Sequence, residues 1–571
     1  MKKKSFKRMM AALVAATMCI GMLGGCGGNG DSADNSSQGG GADSSDAGSS
    51  NEESKEQGES GKDKLVLTIT IEGTAGSHES PVNDAFEALM SEKLGREIEL
   101  NYNLISGGEY SDKAQMMFAT GDIGDIIQIP FLFDYSKAAS EGMLLDISQY
   151  EEQFPNFFYY MDQTSAGIAS VTMADGAIYA IPGIGLPRFP EDHGMLPYNV
   201  STYRYDIFEK LDIKIPETID EVYEAAKRLK EEYPDVYPIN SRWKDLRSLY
   251  AANHTSNDIY WNGEEYVMGL FEEGYKDAIA FANKLYSEGL LDPEYISDDD
   301  DMLKSKEMTD KTFIVLGDWF TTPGEFTRLS STGQIFAATL WPNNPKYGET
   351  AWQSIQPVNE IATNMFANYA VNANVADPEG TIEFLNHIFD DDVVRLLTWG
   401  IEGESYNLDA DGNPVFVDEI LNATDPWAAA DAYGMRASKN MRPGFQLMDD
   451  SKAYVALAAD DWLYYDGELH QEPIEQSEYY LSFPYPENDY IPPYYKEPVL
   501  TFTDEESQEN GQIMTIYQTV RDEWQAALIS GTKSMDEWDA YMEALKSSAD
   551  INKLLENYNA AAKRYLDKAN Q

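Results

Sequence analysis

The chain has 571 residues, 43% of them hydrophobic, with 98 acidic against 42 basic side chains. A formal charge of −56 repels polyanions and so argues against nucleic acid and anionic lipid headgroups as partners. The length calls for two or more lobes rather than one small core, and the aromatic content of 12%, with 10 Trp and 36 Tyr, suggests a ligand with flat apolar faces.

The chain opens on MKKKSFKR, which holds five positive charges, and continues into an apolar run over 9–23. That run is shorter than the roughly 20 residues a spanning helix needs. With Gly24 and Gly25 behind it, the order basic, apolar, small reads as an export signal over 1–25. Leu23-Gly24-Gly25-Cys26 resembles a bacterial lipobox. The resemblance implies cleavage before Cys26, acylation of its thiol and a lipid anchor in the cell membrane. Cys19 leaves with the signal, so no disulfide is expected in the mature chain. Residues 26–64 are rich in Gly, Ser and acids, and 27–64 hold no aromatic or large aliphatic side chain. Such a segment cannot bury enough surface to offset its ordering entropy, so it reads as a flexible acidic tether. GESGKDK within it lacks the Ser or Thr and the preceding strand of a phosphate loop.

Residues 64–73, KLVLTITIEG, alternate Leu65, Leu67, Ile69 and Ile71 and predict a strand. A helix follows over 80–95, with Ser80 as cap, Pro81 in the first turn and Gly95 as stop. EIELNYN (97–103) is strand-like, SDKAQMMFATG is helical, and DIIQIP (125–130) is a short buried strand. This alternation predicts a parallel α/β sheet. Residues 216–234 predict a helix with a Thr218/Glu221 capping box. Another lies in 377–400 behind Asp377 and Pro378, and a third follows the Ser534/Glu537 box with Trp538, Tyr541, Met542 and Leu545 on its face.

The five histidines form no HExxH, and no GxSxG occurs. DADGNPVFVDEI (409–420) begins like a calcium loop but has Pro414 and Ile420 where Gly and Glu are required, so it reads as a hairpin turn. Glu402 and Glu404 offer a carboxylate pair of the kind glycoside hydrolysis needs.

Five segments occur in order: 110–129, 174–183, 203–230, 386–406 and 532–568. Together they resemble the extracellular solute-binding lipoproteins of bacterial ABC importers, in the carbohydrate-binding family of long, LplA-like chains. The family's SGD-x-PD motif stands here as Thr120-Gly121-Asp122-Ile123-Gly124-Asp125, with Gly124 in the place of Pro. The calcium loop of some relatives is replaced by EEYPDVYPIN, so neither metal nor cofactor is expected. The resemblance implies a two-lobed α/β fold of the periplasmic-binding-protein type II. Lobe 1 is expected over 65–195 with 360–440, and lobe 2 over 196–359 with 441–571. It implies a non-enzymatic, monomeric protein that binds an oligosaccharide and serves ABC permease subunits at the extracellular face of the cell membrane. A secreted glycosidase, or a binder of peptides or another solute, is the alternative.

Sugar rings stack on aromatic side chains and hydrogen-bond to acids, amides and Arg, on loops at the carboxyl ends of strands. Trp319 in LGDWFTTPG and Trp399 in LLTWGIEGESY each end an apolar run beside Gly and are the expected stacking platforms. A place in the core is the alternative for each. Glu72 after the first strand and Tyr406 after Trp399 share this setting. Asp125 and Arg204 are polar candidates, Arg204 alternatively an inter-lobe ion pair. Trp341, Trp427 and Trp462 are next in line.

Overall fold

The computed structural model describes residues 64–73, 80–130, 133, 135–164, 167–173, 175–185, 195–197, 199–242, 244, 246–320, 322–353, 355–357, 362–435, 447–448, 453, 457, 460–465, 467–473, 497–498 and 500–569. Cys26, the export signal and all of the tether but Lys64 lie outside them. Among the described residues no helix is long and apolar enough to cross a membrane.

In chain order the first group is β1 (Lys64–Glu72), α1 (Pro81–Leu94), β2 (Glu97–Ile105), α2 (Gly107–Thr120), β3 (Ile126–Gln128) and β4 (Ile181–Gly185). A short strand β5 (Met195–Pro197) leads to β6 (Asn199–Arg204), α3 (Ile219–Glu232), β7 (Ile239–Asn240), α4 (Asp300–Met308), β8 (Ile314–Trp319) and β9 (Phe336–Thr339). Strand β10 (Ile355–Pro357) leads back to β11 (Ala362–Val371), α5 (Pro378–His387), α6 (Asp391–Trp399) and β12 (Leu447–Met448). The chain ends through β13 (Asp460–Tyr465), β14 (Glu468–Pro473), α7 (Asp504–Ile529), α8 (Trp538–Ser548) and α9 (Ile551–Ala569).

Two six-stranded mixed sheets result, ordered β12-β4-β11-β3-β1-β2 and β14-β13-β9-β6-β8-β7. Each has its own apolar core, so the described chain forms two α/β lobes. The crossing strands β5 and β10 pair with each other, antiparallel, and join neither large sheet. A third crossing lies later than the expected 441. Leu447 pairs with Ile184 of the first sheet, and Ala453 and Leu457 sit in the first core, so the chain changes lobe between 457 and 460. Helices α7–α9 then complete the second core through Tyr517, Leu528, Tyr541 and Leu554.

Local chemistry explains the elements. In β1 the period-two residues Leu65, Leu67, Ile69 and Ile71 are buried. In α1 the Ser80 hydroxyl accepts from the Asn83 N–H at 3.2 Å, Phe86 and Met90 face the core, and Gly95 closes the helix at φ 63°. Both halves of the Thr218/Glu221 capping box form. The helix expected within 377–400 divides into α5 and α6, each with acids in its first turn. Gly124 stands at φ +75°, and a Cβ there would lie 3.0 Å from the Thr68 carbonyl oxygen. A proline, locked near −65°, cannot adopt this turn, so the departure from the family motif alters the backbone.

Candidate functional site

In mixed α/β sheets, side chains that meet ligands gather where parallel strands end. In the first sheet β1 runs parallel to β2 and β3, and this edge carries Glu72, Ile105 and Gln128. Glu72 is exposed, and its N–H donates to Gln128 Oε1 at 3.1 Å. Behind it the buried Tyr110 hydroxyl donates to the Gln128 carbonyl, and burial pushes its pKa well above the ordinary tyrosine value.

The second sheet gives the more elaborate edge. β7 is parallel to β8, so Ser241 and Arg242 emerge beside Asp318 and Trp319. β6 is antiparallel to β8 and brings Asn199 directly opposite Trp319. A bulge between Leu316 and Asp318 falls on Gly317, at φ 95°. The extra residue offsets the alternation, so Asp318 shares a face with Thr202 while Trp319 shares one with Asn199. Trp319 is half-buried. Asn199 is 3% exposed and its Nδ2 has no hydrogen-bond partner among the described residues.

Asp318 is fully buried and organises this edge. Its Oδ1 accepts from Arg242 Nε at 2.6 Å, from the Trp319 N–H at 2.8 Å and from Thr322 Oγ1 at 3.0 Å. Its Oδ2 accepts from Thr202 Oγ1 at 3.2 Å. Arg242 Nη1 lies 3.2 Å from Asp300 Oδ1 at the start of α4, and Nη2 has no partner among the described residues. Burial pulls the Arg242 pKa down, but Asp318 and Asp300 outweigh it and hold the guanidinium above its ordinary value. One carboxylate thus fixes a cation and the main chain of the Trp together. The turn beyond β7 is tight, with Lys244 at φ 60° and Leu246 at φ 53°.

Close to the cluster lies Glu307 of α4, 2% exposed, with neither oxygen hydrogen-bonded among the described residues. Burial pushes its pKa well above the ordinary value; Asp318 adds to the rise and Arg242 and Arg204 oppose it.

Of the expected site residues, the described geometry brings Trp319 and Glu72 to carboxyl strand ends. Four others have structural places. Trp399 is 3% exposed in the first core, its ring 4.6 Å from Phe416. Tyr406 is 5% exposed and packs on it at 6.4 Å. Both belong to the core rather than to a sugar platform. Asp125 stands at the opposite, amino end of β3, where its Oδ2 accepts from the Thr68 N–H at 2.7 Å. Arg204 closes β6 at the edge away from Trp319, pairs with Asp206 at 2.9 Å and with Asp310, and lies over the Phe336 ring at 5.2 Å. Both carboxylates belong to its own lobe, so neither the ligand nor the inter-lobe reading fits Arg204. Trp341 is in the second core and Trp427 packs against the first, while the Trp462 side chain lies outside the described residues. Glu402 and Glu404 are exposed on a turn.

Sequence reasoning missed Arg242, Asp318 and Asn199. Asp318 directly precedes Trp319, a usable hint, but Arg242 meets it from 76 residues away. A surface hollow of about 660 Å³ lies elsewhere, lined by Phe271 and by residues 546–552 with Leu555. It takes in none of these strand ends, and the strand-end chemistry outweighs its size.

Comparisons with known proteins bear on this geometry. Residues 75–394 match the family described as bacterial extracellular solute-binding protein. The polygalacturonan/rhamnogalacturonan-binding protein YtcQ of Bacillus subtilis (strain 168) is 23% identical over 345 residues, 58% of this chain and 65% of that one. Lipoprotein LipO of the same organism is 25% identical over 246 residues, 40% of this chain and 45% of that one. The chain thus spans less than two thirds of the length of these relatives. Among solved structures, the alginate-binding protein AlgQ2 without calcium ion matches with a TM-score of 0.67 at 20% identity, over 88% of this chain and 98% of that one. FusA, an ABC-transporter substrate binding protein of S. pneumoniae in complex with kestose, matches with a TM-score of 0.65 at 17% identity, over 89% and 100%. The fold they share with this chain is the two-lobed type II binding-protein fold.

Proposed function

Because this chain belongs to the bacterial extracellular solute-binding protein family, we propose that it captures an oligosaccharide outside the cell and delivers it to the permease subunits of an ABC importer. It acts without catalysis, as a monomer, and is held to the membrane by a lipid on Cys26. The observation that carries the reading is the edge at Trp319: a half-buried ring at a carboxyl strand end, whose main-chain N–H shares a buried carboxylate with a guanidinium. A ring plus a pre-oriented polar group is what a sugar needs, its C–H face stacking and its hydroxyls hydrogen-bonding. The relatives named for polygalacturonan, alginate and kestose support a carbohydrate ligand. The lipoprotein LipO supports the anchor.

Calorimetric titration with a panel of oligosaccharides and peptides tests the ligand class. Saturable heat is expected from a sugar and none from peptides. Release of reducing ends from a polysaccharide would instead reveal a glycosidase. Cys26→Ala is expected to shift the protein from the membrane to the medium, or to stall its processing. A variant that stays membrane-bound and correctly cleaved would remove the anchor from this reading.

A further inference from the structure

The charge arrangement around Trp319 bears on which sugars fit. We propose that the sugar ring held at Trp319 is neutral and that Arg242 meets it through hydroxyl or ring oxygens, so that neutral oligosaccharides are bound and uronate-bearing ones are rejected. This rests on the oligosaccharide reading and narrows it.

Three observations carry it. The first is charge matching. Recognition of a carboxylate by Arg draws on a net positive charge and a free fork of N–H groups. Here Asp318 takes Nε at 2.6 Å and Asp300 takes Nη1 at 3.2 Å. Two carboxylates already face one guanidinium, and among the described residues the two N–H groups of Nη2 and one of Nη1 are left to donate. With its charge already met by two carboxylates, the guanidinium can give these donors to neutral hydroxyl oxygens. A third carboxylate there would meet a local excess of negative charge, which repels it.

The second is immobility. Asp318 is fully buried and accepts four hydrogen bonds, so it cannot turn away to free Arg242 for an acidic ligand. Asn199 Nδ2 opposite Trp319, without a partner among the described residues, adds a neutral donor of the kind hydroxyls pair with.

The third is the other sheet. Among the described residues at the strand ends of β1, β2 and β3, Glu72 is the charged one, and it is exposed. The α2 helix that follows β2 carries Glu109 in its first turn, and its Lys113 already pairs with that residue at 2.7 Å. The chain as a whole carries −56. The countervailing group is Lys244, exposed two residues beyond Arg242. If its ammonium governed the site, the preference would reverse, and this makes the proposal testable.

The experiment is titration of the full chain with neutral and uronate oligosaccharides of equal length, at low and high salt. The expected result is a neutral ligand bound at least about tenfold more tightly than any uronate, with affinity changing less than about twofold between roughly 20 and 500 mM salt, because no net charge is paired. Asp300 is largely exposed, its side chain at 72%, so Asp300→Asn is expected to fold normally. Removing that carboxylate leaves Arg242 more positive, and the preference should move toward uronates by about threefold or more. Tighter binding of a uronate to the unaltered protein overturns this inference while leaving the oligosaccharide reading in place. An Asp300→Asn variant with an unchanged ratio also overturns it. Binding of neither class overturns both.

Discussion

Trp319 and Trp399 occupy nearly the same sequence setting and opposite physical ones. Each ends an apolar run and is followed within two residues by a small or polar turn. Trp399 is the last residue of a helix. Helical side chains tilt toward the N-terminus, so a terminal ring lies back over its own preceding turn. That turn carries Val394 and Leu397 in the first core, and the ring joins them. Trp319 is the last residue of a strand. Strand side chains stand off the sheet, and at a carboxyl edge nothing in the strand covers the ring. The lesson is that an aromatic residue's availability depends on the element it terminates more than on the residues flanking it.

The sharpest way to break this contrast is Trp399→Ala. A buried tryptophan removed from a packed core costs about 3–5 kcal/mol of stability. The variant is expected to melt far below the parent, while its folded fraction binds ligand with unchanged affinity. A variant that melts normally and binds weakly would return Trp399 to the ligand.

The complementary measurement is Trp319→Ala. Loss of a stacking ring should weaken binding by about 1–3 kcal/mol, by analogy with aromatic stacking on bases, with little change in melting temperature. A large fall in melting temperature with normal binding would show that Trp319 is packing and would leave the edge without its platform.

The contrast also shows what the sequence could reveal. Period-two alternation and cap chemistry are local, so β1, α1, α3 and α8 were legible from 64–73, Ser80, Thr218 and Ser534. The crossings near 195 and 357 could be anticipated from the alternation of family segments. The third could not, because β12 is a two-residue strand in the first sheet, and nothing local marks Leu447 as a partner of Ile184. The site was half legible for the same reason. Trp319 announced itself, whereas Asp318, Arg242 and Asn199 are brought together by the order of β6, β8 and β7. A one-residue bulge decides which face each takes. Arg204 misled because a buried arginine and a ligand-binding arginine have the same sequence; only Asp206 and Asp310 tell them apart.

The two regions should also answer pH differently. Close to Asp318 and Arg242 sits Glu307, whose folded pKa is raised well above the ordinary 4.5. Above that ordinary value the unfolded chain releases this proton while the folded protein keeps it. Stability contributed by Glu307 is therefore present at acidic pH and declines as pH rises toward the folded pKa, by up to about 1.4 kcal/mol per pH unit. Denaturant titrations of the parent and Glu307→Gln across this range should show a shallower decline in the variant. Parallel curves would mean that Glu307 is ionised in the folded state.

The smallest expected effect tests whether the Asp318 cluster positions Trp319 or merely surrounds it. Thr322 Oγ1 donates to the same oxygen, Oδ1, that holds the Trp319 N–H and the Arg242 Nε. Thr322→Val keeps the shape and removes that donor. Three donors to Asp318 remain, so the carboxylate stays paired, and the cost to stability should be about 0.5–1.5 kcal/mol. If the carboxylate sets the angle at which the strand end presents its ring, loosening it should also raise the ligand Kd by about two- to fivefold, a loss of about 0.4–1 kcal/mol. The control is Ser405→Ala beside the other tryptophan. Ser405 Oγ donates to the Trp399 carbonyl at 2.7 Å and accepts from the Ile401 N–H at 2.8 Å. Its loss should lower stability by a similar amount and leave Kd untouched, because that ring faces the core. Equal Kd shifts in both variants would mean that general loosening, not the placement of one ring, governs binding, and the difference between the two tryptophans would lose its functional meaning.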